Sequence, residues 1–147
     1  MLSAAPTVSE PLPDNLARTL NRAEFLSAAH PDDLSFPWVD RIRGELVITV
    51  VSAAGREQAA SFQADIPVRI ESVRRSRSYL KHIMDSAIGP RGRAAVTVWS
   101  TFPDAANNRV ILQVTSLPRP FLTQLARAYD PSAVALVVAP WPQARPQ

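Results

Sequence analysis

The chain contains no cysteine, two histidines and four glycines, and these shortages remove whole classes of chemistry. Without thiols there is no disulfide framework, no thiolate metal site and no cysteine nucleophile. A hydrolase triad needs a histidine base, and neither His30 nor His82 lies in a nucleophile context. The glycines at 44, 55, 89 and 92 assemble no phosphate loop, since Gly89-Pro90-Arg91-Gly92-Arg93 lacks the spacing and the lysine of a P-loop. Lysine occurs once, as Lys81, among sixteen basic residues. No apolar stretch approaches the ~20 residues of a membrane span, and residues 1 to 13 have neither the charged nor the apolar region of a secretory signal. The expectation is a cytoplasmic protein that does not engage a membrane.

What is present is ordinary globular composition, with 46% hydrophobic and 20% charged residues in 147 positions. That is one domain's length and enough apolar material to fold without a partner. Fourteen prolines gather at the ends and between periodic segments, where a fixed φ does least harm. The net charge of +3 is uneven: residues 1 to 45 carry four arginines against seven acids, so the excess of base lies in the remainder.

Residues 1 to 13 are polar and aperiodic and read as a flexible N-terminal arm. Leu16, Leu20, Ala23 and Leu26 then recur at helical spacing until His30-Pro31. After an irregular connection from Pro31 to Val39, the β-branched run Glu45 to Ser52 predicts a strand covered on both faces. Ala53 to Gln58 reads as a glycine-containing turn. Residues 60 to 71 alternate, with Phe62, Ala64, Ile66, Val68 and Ile70 on one side, and predict a hairpin partner that Pro67 places at an edge or bulges. Ser72 is a candidate cap for a helix with Val73, Leu80, Ile83, Met84 and Ala87 on its buried stripe, ending at Gly89-Pro90. A hairpin over 94–101 and 109–116, a helix from Pro118 or Pro120 to Tyr129, and a central strand over 133–139 complete the pattern.

The predicted fold is therefore α+β: a leading helix, then ββαββαβ, as an antiparallel or mixed sheet with helices on one face. This is either ferredoxin-like or a duplicated ββα arrangement. A likeness between Ile48-Thr49-Val50-Val51-Ser52 and Val96-Thr97-Val98-Trp99-Ser100 suggests the duplication. The predicted organisation is an arm over 1–13, one domain over 14–139 and a Pro-rich tail over 140–147.

Ala29-His30-Pro31-Asp32-Asp33 resembles the AHPDDE zinc signature of the LmbE and PIG-L deacetylases. The resemblance implies His30 and Asp33 as zinc ligands and Asp32 as general base. Leu34 stands where that signature has glutamate, and the family's second histidine motif is missing. From the residues alone the run is a helix stop with a solvated turn, so no metal, no cofactor and no catalytic residue is expected.

The stronger cluster is Arg74, Arg75, Arg77 and Lys81 on the helix expected from Ser72, with Arg91 and Arg93 beyond it. Cations in a first helical turn oppose the dipole by roughly 0.3–1 kcal/mol each, which points to an anion held by arginine forks and free N–H groups. The alternative is a solvated basic face. In the tail, Trp141 between Pro140 and Pro142 suits docking into a partner's groove. The chain thus reads as a non-catalytic protein-interaction or assembly module within an oligomer or larger complex. The alternative is a nucleic-acid- or phosphate-binding protein using the basic helix, and the third reading is a metal-dependent hydrolase.

Overall fold

The computed structural model describes residues 2–3, 10–91 and 96–140. In chain order its elements are β1 (Leu2–Ser3), α1 (Asp14–Ala29), β2 (Trp38–Asp40), β3 (Glu45–Val50), α2 (Ala53–Ala60), β4 (Val68–Ser72), α3 (Arg77–Ala87), β5 (Gly89–Arg91), β6 (Val96–Asp104), β7 (Arg109–Val114), α4 (Arg119–Ala128) and β8 (Val134–Val138). Short 3-10 turns occupy Ala105–Asn107 and Pro131–Ala133. The α+β class is as expected, but the strands form two mixed sheets in place of one, in the orders β2-β3-β4 and β1-β8-β7-β6-β5. The chain divides into two compact units, one of Thr7–His82 with Asp104–Asn108, the other of Met1–Pro6, Ile83–Pro103 and Arg109–Gln147.

In the Thr7–His82 unit, β2 runs antiparallel to β3, and Gly44 at φ +65 closes the turn between them. The strand β4 then pairs with β3 in parallel, not as the expected hairpin. The reason is α2: the turn expected at Ala53 to Gln58 is a helix, capped where Ser52 Oγ accepts from Gly55 N at 3.0 Å, and it carries the chain across. Its small residues gave little periodicity to read. Only 68–72 of the alternating stretch joins the sheet. Residues 61–67 are an irregular connection with a turn at Ser61 and bends at 65–66, with Phe62 and Ile66 packed against a core of Ala23, Leu34, Leu46, Ile48, Val50 and Ala59. Burial of each large member of that core stabilises the unit by about 1.5–3 kcal/mol. Pro67 is exposed and directly precedes β4, which is an edge strand, as the proline predicts. The connection before β3 holds the short strand β2.

In the other unit, β6 and β7 are neighbours joined through Ala105–Asn107. The helix α4 then leads to β8, parallel to β7. β8 lies between β1 and β7, with Val134, Ala135, Leu136 and Val137 buried, which is why its sequence is apolar throughout. Phe121 and Leu125 form the buried face of α4. Leu2–Ser3 pairs with Ala135 and Leu136, so the expected N-terminal arm contributes an edge strand. Among the described residues no helix is long and apolar enough to cross a membrane.

Candidate functional site

The expected basic helix begins later than its sequence suggests. β4 continues to Ser72, and Val73 N donates to Val50 O at 2.9 Å, so the parallel ladder claims the residues predicted to open the helix. Arg74 and Arg75 therefore precede α3, and Arg77 is its first residue. The first-turn donors are already engaged: Arg77 N to Leu34 O at 2.8 Å, Ser78 N to Pro31 O at 2.9 Å and Tyr79 N to Ser76 Oγ at 3.2 Å. An anion at this terminus would have to displace those bonds.

The Arg75 and Arg77 side chains are engaged too. Arg77 Nη1 lies 2.7 Å from Glu24 Oε2 and donates to Ser27 Oγ at 3.2 Å, with its guanidinium 4.4 Å above the Phe36 ring. A same-chain carboxylate thus offsets the cation that opposes the dipole. Arg75 donates through N to Asn108 Oδ1 at 2.9 Å and through Nη1 to Asn108 O at 3.1 Å. Arg74 is exposed and Lys81 lies exposed on α3. Arg91 ends β5, and Arg93 lies outside the described residues. The proposed tail contact is in the same position: Pro140 is exposed, while Trp141 and Pro142 lie outside the described residues.

The His30, Asp32 and Asp33 run has a structural occupation. Asp33 Oδ1 accepts from Ser52 Oγ at 2.8 Å, its carbonyl accepts from Val51 N at 3.0 Å, and Asp32 Oδ1 accepts from Ser78 Oγ. His30 Nδ1 meets Gln58 Nε2 at 3.0 Å. The loop therefore joins the starts of α2 and α3. Among the described residues no three His, Cys, Asp or Glu side chains come together as metal ligands.

Sequence reasoning passed over a polar cluster on the sheet face opposite that core. Arg69 Nη1 lies 2.7 Å from Glu45 and 3.3 Å from Asp40, its Nε lies 3.1 Å from Glu71, and its guanidinium sits 5.6 Å from the Trp38 ring centre. Arg43 approaches Asp40 at 3.9 Å. The Arg43 backbone N–H donating to Asp40 holds that carboxyl below its ordinary range, outweighing partial desolvation and helped by Arg69. In the other unit, Arg119, Pro120, Thr123, Gln124 and Arg127 line a cavity of about 500 Å³ along the outer face of α4.

The arrangement with most consequence is a backbone one. Leu46 N donates to Pro67 O and Val73 N to Val50 O, each at 2.9 Å, which sets the phase of the β3–β4 ladder. Arg69 and Glu71 present their N–H and C=O to β3, so those of Val68, Ile70 and Ser72 face away. No other described strand lies along that edge. Alternation in 60–71 hinted at it; the phase could be read only from the pairing. Against known proteins, no family model matches the chain and no curated protein matches it significantly.

Proposed function

We propose that this chain is a non-catalytic protein-interaction module, part of an oligomer or larger complex, and that it docks through the outer edge of β4. The observation that carries this reading is the row of outward N–H and C=O groups at Val68, Ile70 and Ser72 on a five-residue edge strand. An edge of this kind is a template for strand addition, in which main-chain bonds supply affinity and alternate side chains supply selectivity. Flanking it are Val68 and Ile70 on the core side and Arg69 and Glu71 on the other. Anion binding at α3 has weaker support, because the first-turn donors and Arg77 already have partners within the chain.

Ser72→Pro tests the reading. It removes a donor the fold does not use and sets a ring where an incoming strand must approach. The variant is expected to keep the wild-type circular dichroism spectrum and to lose, by about tenfold or more, the proteins retained from the native source by the wild-type chain. Retention of the same proteins by the folded variant removes the β4 edge as the docking element.

A further inference from the structure

We infer that the strand which completes the β4 edge is the β4 of a second copy of this chain, paired antiparallel about Ile70. The inference rests on the reading of β4 as a docking edge and adds the identity of the occupant.

The phase of the outward backbone groups selects the register. Self-pairing of an antiparallel strand about one residue sets Ile70 opposite Ile70, Val68 opposite Ser72 and Arg69 opposite Glu71. Hydrogen-bonded pairs must be formed by residues whose backbone groups face outward. Those are Val68, Ile70 and Ser72, so in this register every outward group between Val68 and Ser72 meets its complement. The intervening pair is then the closer, non-hydrogen-bonded kind, with Cα atoms about 4.5 Å apart. That pair is Arg69 against Glu71, twice by symmetry, and opposite charges at such a site favour pairing.

The exposed Glu71 carboxylate has room for a second guanidinium. Within one chain Arg69 is shared among Asp40, Glu45 and Glu71, so carboxylates outnumber the guanidinium, and the Glu71 side chain is 39% exposed. In the pair each Glu71, the most exposed of the three carboxylates, gains the partner's Arg69 as a second cation, while the ratio of carboxylates to guanidinium stays the same. On the other face, Ile70 meets Ile70 beside the half-buried Phe62 and Ile66, so apolar area is covered on the core side as well.

No other described edge has these properties. β2 is three residues long, and self-pairing about Val39 would oppose Trp38 to Asp40. β1 is two residues, and β5 has Pro90, which cannot donate. The predicted assembly is a continuous six-stranded sheet, β2-β3-β4 joined to its symmetry mate, with an isologous contact.

The test uses the full chain. Sedimentation of the wild type should move from 16.1 kDa toward twice that mass as concentration rises to about 1 mM, the weak end of measurable association. Ser72→Pro should stay at the monomer mass, and Glu71→Arg, which opposes arginines at both cross-strand pairs, should weaken association about tenfold or more. Register is read by cysteine, which the natural chain lacks. Mild oxidation should trap an Ile70→Cys dimer, whose Cα atoms lie about 5.5 Å apart, and not a Ser72→Cys dimer, whose Cα atoms lie about 13 Å apart. A monomer at all concentrations, a dimer indifferent to Ser72→Pro and Glu71→Arg, or preferential trapping at position 72 overturns the inference. If the wild type stays monomeric while Ser72→Pro still abolishes capture of another protein, self-pairing alone has failed. If capture is also indifferent to Ser72→Pro, the edge reading has failed with it.

Discussion

Gly55 shows how little freedom single residues have where the His30–Leu34 loop meets α2. A Cβ there would stand 2.1 Å from Asp33 O and 2.9 Å from its carbonyl carbon, both backbone atoms that cannot rotate aside. Gly55→Ala is expected to lower stability by about 2–3 kcal/mol in urea unfolding, although alanine ordinarily favours helix over glycine. Asn108 is as constrained. It is buried at φ +52, its Oδ1 accepts from Arg75 N, and its Nδ2 donates to Ser35 Oγ at 3.0 Å and Arg75 O at 2.9 Å. Asn108→Ala strands those groups and is expected to cost about 2–3 kcal/mol by the same measurement, with Asn108→Asp recovering only part, since it lacks the donor. Asp40 contributes a pH dependence to stability. Its folded pKa lies below the ordinary value of 3.8, so its contribution is present above that value and is lost as pH falls through the folded one. Asp40→Asn is therefore expected to lower the melting temperature at pH 7, and its difference from wild type is expected to shrink as pH falls below 3.8 through the folded value. None of these roles is legible in the sequence: Gly55 and Asn108 look like ordinary turn residues until distant backbone closes on them.

Elements were legible in proportion to how local their causes are. α1 and α4 follow from helical spacing of apolar residues bounded by proline, and β8 from an uninterrupted apolar run. α2 escaped because eight residues rich in alanine, with a glycine, leave scarcely an amphipathic stripe, and its cap depends on Ser52 held by Asp33. The start of α3 lies four residues beyond the one that Ser72 suggests, for the same kind of reason. Ser72 has the chemistry of a cap, but Val50 claims the following amide for the ladder, and Ser76 becomes the residue whose Oγ receives Tyr79 N. The inferred anion site drew on that start, and in the structure the first-turn amides, Arg75 and Arg77 have partners within the chain. The parallel partner of β3 likewise turned on whether residues 53–60 were turn or helix, which converts a hairpin into a crossover.

At the scale of the whole molecule the duplication takes a different form from the one the sequence suggests. Each unit runs strand, strand, helix, strand, with its last strand parallel to its second: β2-β3-α2-β4 and β6-β7-α4-β8. The counterpart of β3 is therefore β7, not β6, whose local resemblance arises from shared β-branched composition. Unit boundaries also cross the chain, because Asp104–Asn108 belongs with Thr7–His82. A fragment of residues 7–82 lacks Asn108 and is expected to unfold at lower urea than the same residues in the full chain. A deficit of about 2 kcal/mol or more is expected, matching the hydrogen bonds lost to Arg75 and Ser35. Equal stability of the fragment would show that Asn108 contributes nothing to that unit. The amino-acid sequence alone determined the α+β class, the apolar faces of the long helices and that the strand at Pro67 is either an edge or bulged, because periodicity and proline act over a few residues. Tertiary structure decided the two sheets, the start of α3, the engagement of its arginines and which backbone groups of β4 face outward. Those depend on which distant donor meets which acceptor, a choice no local pattern encodes.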